Sequence, residues 1–198
     1  MINHEFKFIF VRVAKAASTS VLSRLPHSTK INEIYKDWKY DKNHVPLWYV
    51  KENLNNEIYE DYFKFAFVRN PFERAVSIVN YATDFWKNEN IKFTLDCAYS
   101  LPEKSPFPVS KKFKEQFWSK YSNQFDFTNG CDFIGRLENF QEDFNIICDK
   151  IGIPHQELPH ENATNHTHYT EYYDDETRQI VAEKYAKDIE YFGYKFGE

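Results

Sequence analysis

Short, almost wholly apolar runs alternate with amphipathic stretches along this chain. Phe6 to Val13 is dominated by aromatic and β-branched residues, which predicts a strand buried on both faces. Ser18 to Leu25 predicts a short helix, stopped by Pro26. A second apolar run, "DYFKFAFVR" from Asp61 to Arg69, predicts a second strand. "NPFERAVSIVNYATDFW" follows with a strong helix start: Asn70 as N-cap, Pro71 in the first helical position and Glu73 in the third. Asp132 to Arg136 predicts a third strand. The stretch Asn139 to Ile151 predicts a helix that buries Phe140, Phe144, Ile147 and Ile151 and ends at "GIP". A last helix is predicted from Asp175 to Tyr191, with Ile180, Val181, Tyr185 and Ile189 on one side. Residues 84–125 show neither period and read as an irregular insertion rich in lysine and aromatics. Strands alternating with helices predict an α/β fold: a parallel sheet flanked by helices, as a single domain over residues 1–198.

Composition narrows the function classes. Aromatics make up 19% of the residues, enough for a substantial core in one domain. A net charge of −5 argues against a nucleic-acid partner, since such domains carry a basic excess. Cys97, Cys131 and Cys148 show no C-x-x-C spacing, which fits reduced thiols better than a disulfide framework or a zinc site. The N-terminal stretch "MINHEFKFIFVRVAK" lacks the basic and long apolar regions of a signal peptide, and no run is long enough for a membrane span. The expectation is a soluble, cytoplasmic protein, with a bacterial host; the oligomeric state is not legible.

Two predicted strand-to-helix junctions carry polar residues. A helix N-terminus offers unpaired N–H groups and a partial positive charge, so it suits an anion. In "RVAKAASTS", Lys15 adds a charge, Ala16 and Ala17 allow close approach to the backbone, and Ser18, Thr19 and Ser20 add hydroxyl donors. In "FVRNPFERAVS", Arg69 stands at the strand end and Ser77 two turns into the helix. Guanidinium suits an anion gripped by a planar fork. Each junction also has an explanation without a ligand: Ser18 and Thr19 as N-caps, Lys15 as a solvated charge, Arg69 as an ion-pair partner of Glu73. The first loop is not a nucleoside-triphosphatase loop, because "G-x-x-x-x-G-K-[ST]" is absent. Both junctions in one chain, each at a strand end, shift the balance from these explanations towards anion binding.

The same residues carry a family resemblance. "FIFVRVAKAASTSVL" resembles the 5′-phosphosulfate loop of sulfotransferases, in particular the carbohydrate and heparan 2-O-sulfotransferase-like group, where it reads roughly R-V-P-K-x-x-S-T-S. "FAFVRNPFERAVS" is similar to that group's 3′-phosphate motif, F-V-R-N-P-x-x-R-x-x-S. "DFIGRLENFQEDF" and "YYDDETRQIVAEKYAKDIEYFGYKF" resemble its later segments, in order. Ala14 departs from the family's usual proline. The resemblance implies a P-loop-like sheet and 3′-phosphoadenosine-5′-phosphosulfate (PAPS) as donor, with 3′-phosphoadenosine-5′-phosphate (PAP) as product and no metal. It assigns Lys15, Ala17, Ser18, Thr19 and Ser20 to the 5′-phosphosulfate, and Arg69 and Ser77 to the 3′-phosphate. Lys15 would also be catalytic. His44 of "DKNHVPLW" is the implied base, with Glu52 and Glu73 as alternatives, against the plain explanation of a surface-loop histidine; imidazole titrates near neutrality and suits the task. The acceptor expected is a saccharide or glycolipid.

"PHENATNHTHYTEYY" clusters His160, His166 and His168, but without a thiolate pair or H-E-x-x-H it makes a poor metal site. The resemblance makes it a loop over donor or acceptor, with His168 and Tyr169 as contacts. Asp174 and Asp175 read as helix-start residues, and Arg136 and Glu138 as structural, fixing the strand end beside the site, with direct ligand contact as the alternative. Lys111, Lys112, Lys114 and Lys120 with Phe113, Phe117 and Trp118 read either as an acceptor groove or as a solvated basic helix. Competing functions are a nucleotide-dependent phosphotransferase and a non-catalytic nucleotide- or glycan-binding module.

Overall fold

The computed structural model describes residues 1–26, 37–38, 41–86, 121–159 and 167–198. They fall into two compact units, Met1–Val68 with Gln124–Ala163, and Arg69–Asn123 with Thr164–Glu198.

The first unit holds the sheet. Its strands are β1 (Ile2–Asn3), β2 (Phe8–Val11), β3 (Phe63–Val68) and β4 (Phe133–Arg136), in that spatial order. β1 pairs antiparallel with β2, whereas β2, β3 and β4 run parallel, so the expected α/β architecture is present. Its helices are α1 (Ser18–Leu22), α2 (Leu47–Asn53), α3 (Asn56–Asp61), α5 (Gln124–Thr128) and α6 (Phe140–Ile151); α4 (Pro71–Trp86) belongs to the second unit. The strand alternation sorts side chains onto two faces. Phe8, Phe10, Phe65 and Phe67 pack with Val21 and Leu25 and with Phe144, Ile147 and Ile151 of α6. Ile9, Val11 and Ala66 pack with Leu47 and Val50 of α2, Tyr59 of α3 and Phe127 of α5. Helices cover both faces, which is why these strands read as unbroken apolar runs. Each of the buried Phe, Ile, Leu and Val side chains contributes about 1.5–3 kcal/mol.

Lys64 interrupts the second run and is nonetheless buried. Its ammonium donates to the carbonyls of Tyr59 (3.2 Å) and Tyr62 (2.7 Å) and pairs with Asp132 at 3.1 Å. Asp132 also accepts from the Lys64 N–H at 2.7 Å, pinning the start of β4.

The second unit is built on α4 (Pro71–Trp86), a 3₁₀ turn at Tyr169–Tyr172, α7 (Asp175–Lys184) and α8 (Ala186–Phe192). Phe72, Ala75 and Val76 of α4 pack with Tyr169, Val181 and Tyr185. Asp174 caps α7 reciprocally: its carboxylate accepts from the Thr177 N–H, and the Thr177 hydroxyl accepts from the Asp174 N–H. The predicted last helix is two helices, because Tyr185 leaves helical geometry at φ −110°, ψ 26°. Its hydroxyl donates to the Tyr121 carbonyl at 3.0 Å, and the buried Arg74 guanidinium lies 5.6 Å from its ring.

Other boundaries shift for local reasons. β2 and β3 are shorter than the apolar runs that predicted them, and Asp61 ends α3 instead of opening β3. Asn55 caps α3 through bonds from the Glu57 and Ile58 N–H groups. Of the expected insertion, residues 84–86 continue α4 and Gln124 opens α5, while 87–120 lie outside the described residues.

Candidate active site

In the first unit, β2 ends at Val11 and the chain turns through residues 12–17 into α1. Lys15 (φ 63°) and Ala17 (φ 52°, ψ 24°) both adopt left-handed backbone. A left-handed residue followed by right-handed helix turns successive N–H groups into a concavity suited to anions. Ala17, not Ser18 or Thr19, is the N-cap, so the capping explanation of those hydroxyls fails. No side chain caps α1, and its first turn holds no acidic residue. Ser18 and Ser20 are buried, Lys15 and Ala17 partly so, and Thr19 is exposed. This donor set, a cation beside hydroxyls and a helix start that no side chain caps, suits an anion. The junction after β4 contrasts with it. There Glu142 and Asp143 stand in the first turn of α6, and Asp143 accepts from the Arg136 N–H at 2.6 Å, so that helix supplies its own negative charge. Arg136 is thus engaged through its backbone, and Glu138 is exposed.

His44 lies against the same strand end. Its Nδ1 is 2.9 Å from the Arg12 carbonyl oxygen, one residue beyond β2. A carbonyl can only accept, so Nδ1 carries the proton and, in the neutral ring, Nε2 holds a lone pair. The ring is buried, at 9% exposure. The structure therefore brings His44 to the strand that feeds the Lys15 loop, which spacing along the chain could not reveal. Glu52, the alternative base, is exposed on α2.

In the second unit, Asn70 caps α4 by accepting from the Phe72 N–H at 3.1 Å, and its amide donates to the Lys195 carbonyl at 2.9 Å. Arg69 is mostly buried, and its guanidinium pairs with Glu73 at 2.7 Å. The ion-pair explanation of these two residues is thus realised. The pair holds one terminal nitrogen of the guanidinium and engages the Glu73 carboxylate. Ser77, partly buried, is one turn beyond Glu73 on the same helix face.

His168 is exposed, with Nδ1 2.7 Å from the Thr170 hydroxyl and its ring 4.7 Å from that of Tyr169. Tyr169 is buried, and its hydroxyl donates to the Glu198 carbonyl at 3.0 Å and accepts from the Gly197 N–H at 2.6 Å. Those two bonds tie the C-terminal tail to the Tyr169 hydroxyl. His160, His166, Lys111, Lys112, Phe113, Lys114, Phe117, Trp118 and Lys120 lie outside the described residues. Among the described residues, no cluster of three or more histidine, cysteine or acidic side chains is arranged for a metal, and no helix is long and apolar enough to cross a membrane.

A sulfotransferase family profile matches residues 1–195. An uncharacterised protein of Archaeoglobus fulgidus is 27% identical over 120 residues, covering 57% of this chain and 86% of that protein. A sulfotransferase crystal structure from Alicyclobacillus acidocaldarius is similar over 93% of this chain and 92% of its own, at 14% identity and a TM-score of 0.48.

Proposed function

The chain belongs to the sulfotransferase family, and from that premise we propose that it moves a sulfuryl group from PAPS to a hydroxyl of a carbohydrate acceptor, a free saccharide or a glycolipid, with residues 1–198 acting as one catalytic domain. The observation that carries this reading is the bond from His44 Nδ1 to the Arg12 carbonyl. It leaves Nε2 as a proton acceptor on the strand end that leads into the uncapped, acid-free start of α1.

PAPS supplies a sulfuryl group activated by its bond to the 5′-phosphate. Lys15, Ser18, Thr19, Ser20 and the N–H groups about Ala17 hold the 5′-phosphosulfate. Lys15 also offsets the negative charge that grows on the departing phosphate oxygen. Arg69 and Ser77 hold the 3′-phosphate, with Glu73 keeping the guanidinium oriented. His44 Nε2 takes the proton of the acceptor hydroxyl as its oxygen bonds to sulfur. Positioning and charge stabilisation dominate, as in phosphoryl transfer. A sulfuryl group carries less charge than a phosphoryl group, so this scheme needs no metal. His168, exposed at the start of the Tyr169–Tyr172 turn, serves as a loop contact.

Calorimetry with PAP, ATP and AMP on wild type and Arg69→Ala tests the donor. Preference for PAP is expected, with a loss of about ten- to a hundred-fold in Arg69→Ala, the worth of a charge-assisted contact. Equal or tighter ATP binding that ignores Arg69 would point to a phosphotransferase. Transfer of labelled sulfate from PAPS to a panel of oligosaccharides then tests catalysis. His44→Ala should lower it about a hundred-fold or more while PAP binding stays intact; PAP binding with no transfer to any acceptor would point to a binding module.

A further inference from the structure

The turn that carries His44 is tied down at several points, all within the first unit. Asp41 accepts twice: its carboxylate Oδ1 from the Asn43 N–H at 2.9 Å, and its carbonyl from the His44 N–H at 2.9 Å. Asn43 Oδ1 in turn accepts from Arg12 Nη1 at 3.2 Å. Arg12 therefore meets the turn twice, through its side chain at Asn43 and through its carbonyl at the His44 ring. Asp41 also favours the charged form of Arg12, against the burial that lowers its pKa.

We infer that Asp41 is a positioning residue for the catalytic base: by closing the Asp41–His44 turn it holds the imidazole against the Arg12 carbonyl and so keeps His44 in the single tautomer whose Nε2 can accept a proton. The inference rests on the reading of His44 as the base. An imidazole on an untethered loop samples both tautomers and many ring orientations, and only one of these leaves Nε2 unprotonated and aimed productively. The side-chain bond to Asn43 matters because it preorganises the turn before a substrate arrives, which is where much catalytic advantage resides.

The tautomer is directly readable. Long-range proton–nitrogen spectra of histidine-labelled protein at about pH 8, where an unperturbed imidazole is neutral, report which ring nitrogen is protonated. The His44 signal is assigned by its loss in His44→Gln. Wild type should show one tautomer with Nδ1 protonated. Asp41→Ala should show both, and its kcat for PAP release from PAPS should fall about ten-fold or more with little change in KM for PAPS. Asp41→Asn keeps the Oδ1 acceptor and loses only the charge, so it should retain both the single tautomer and most of the rate. Asp41→Gly provides a second disrupting variant should Asp41→Ala not fold. A single Nδ1–H tautomer and wild-type kcat in either disrupting variant would overturn the inference. An unchanged rate in His44→Gln would overturn the base assignment instead, and the tautomer comparison would still decide whether Asp41 holds the ring.

Discussion

Ala17 carries a backbone setting that glycine adopts freely, whereas an L-residue with a Cβ pays about 1–2 kcal/mol for it. Its φ of 52° is set by the chain having to leave β2 and enter α1 within six residues, 12–17, of which Lys15 is also left-handed. Relief of that strain and the larger entropy of an unfolded glycine oppose each other, so Ala17→Gly should change stability by less than about 1 kcal/mol and leave PAP affinity intact. Ala17→Val puts a β-branched side chain where positive φ is most costly, and should lower stability by at least about 1–2 kcal/mol and weaken PAP binding. Urea midpoints and PAP calorimetry on both variants check this; a valine variant as stable as wild type would show that the loop is not held in this conformation. The need for small residues here is legible in "KAASTS". Which of them would sit at positive φ is not, since that depends on where the strand stops.

Among the elements, Gly135 of β4 shows why a strand's composition follows its neighbours. It stands in register with Phe67 of β3, and a Cβ added there would meet the Phe67 ring at 2.6 Å. That ring is fully buried and already edge-on to Phe140 at 5.2 Å, so it has little room to yield. Gly135→Ala should cost about 1–3 kcal/mol as overpacking, measurable by chemical denaturation; a cost near zero would mean that β3 and β4 separate easily. Other elements were legible from local signals: the unbroken apolar runs of β2 and β3, the capped start of α4, and the helical spacing along α6. α2, α3 and α5 were not, since helices of five to seven residues complete too few turns to display a period. The break between α7 and α8 was hidden for the opposite reason. Its sequence is helical throughout, and the demand comes from Tyr185 reaching Tyr121.

For the molecule as a whole, the partly buried Cys131 and the buried Cys148 couple stability to pH. Burial pushes the Cys131 thiol up, with Asp132 adding to the effect and Lys64 opposing it, and burial likewise raises Cys148, with Asp149 adding to it. Unfolded thiols ionise at about 8.5, so above that pH the unfolded chain sheds protons that the folded chain retains. Stability from these groups is thus full below about pH 8.5 and declines as pH rises, by at most about 1.4 kcal/mol per pH unit per thiol. Denaturation midpoints should fall between about pH 8 and 10, less steeply in Cys131→Ala. Equal slopes in the two proteins would remove Cys131 as a contributor. Both thiols should also resist alkylation in the native state, because the reactive thiolate is scarce.

Sequence alone determined the fold class, the two polar strand-to-helix junctions and the family resemblance, because all three rest on local order: hydrophobic period, capping residues and short motifs read along the chain. Tertiary structure alone decided which partners several candidate side chains meet. His44 gained its tautomer from a carbonyl 32 positions away, Tyr169 was drawn to the tail, and Glu73 was taken up by Arg69. Hydrogen bonds and ion pairs are satisfied by whichever partner the packed chain brings within about 3 Å, and that partner has no fixed place in the sequence.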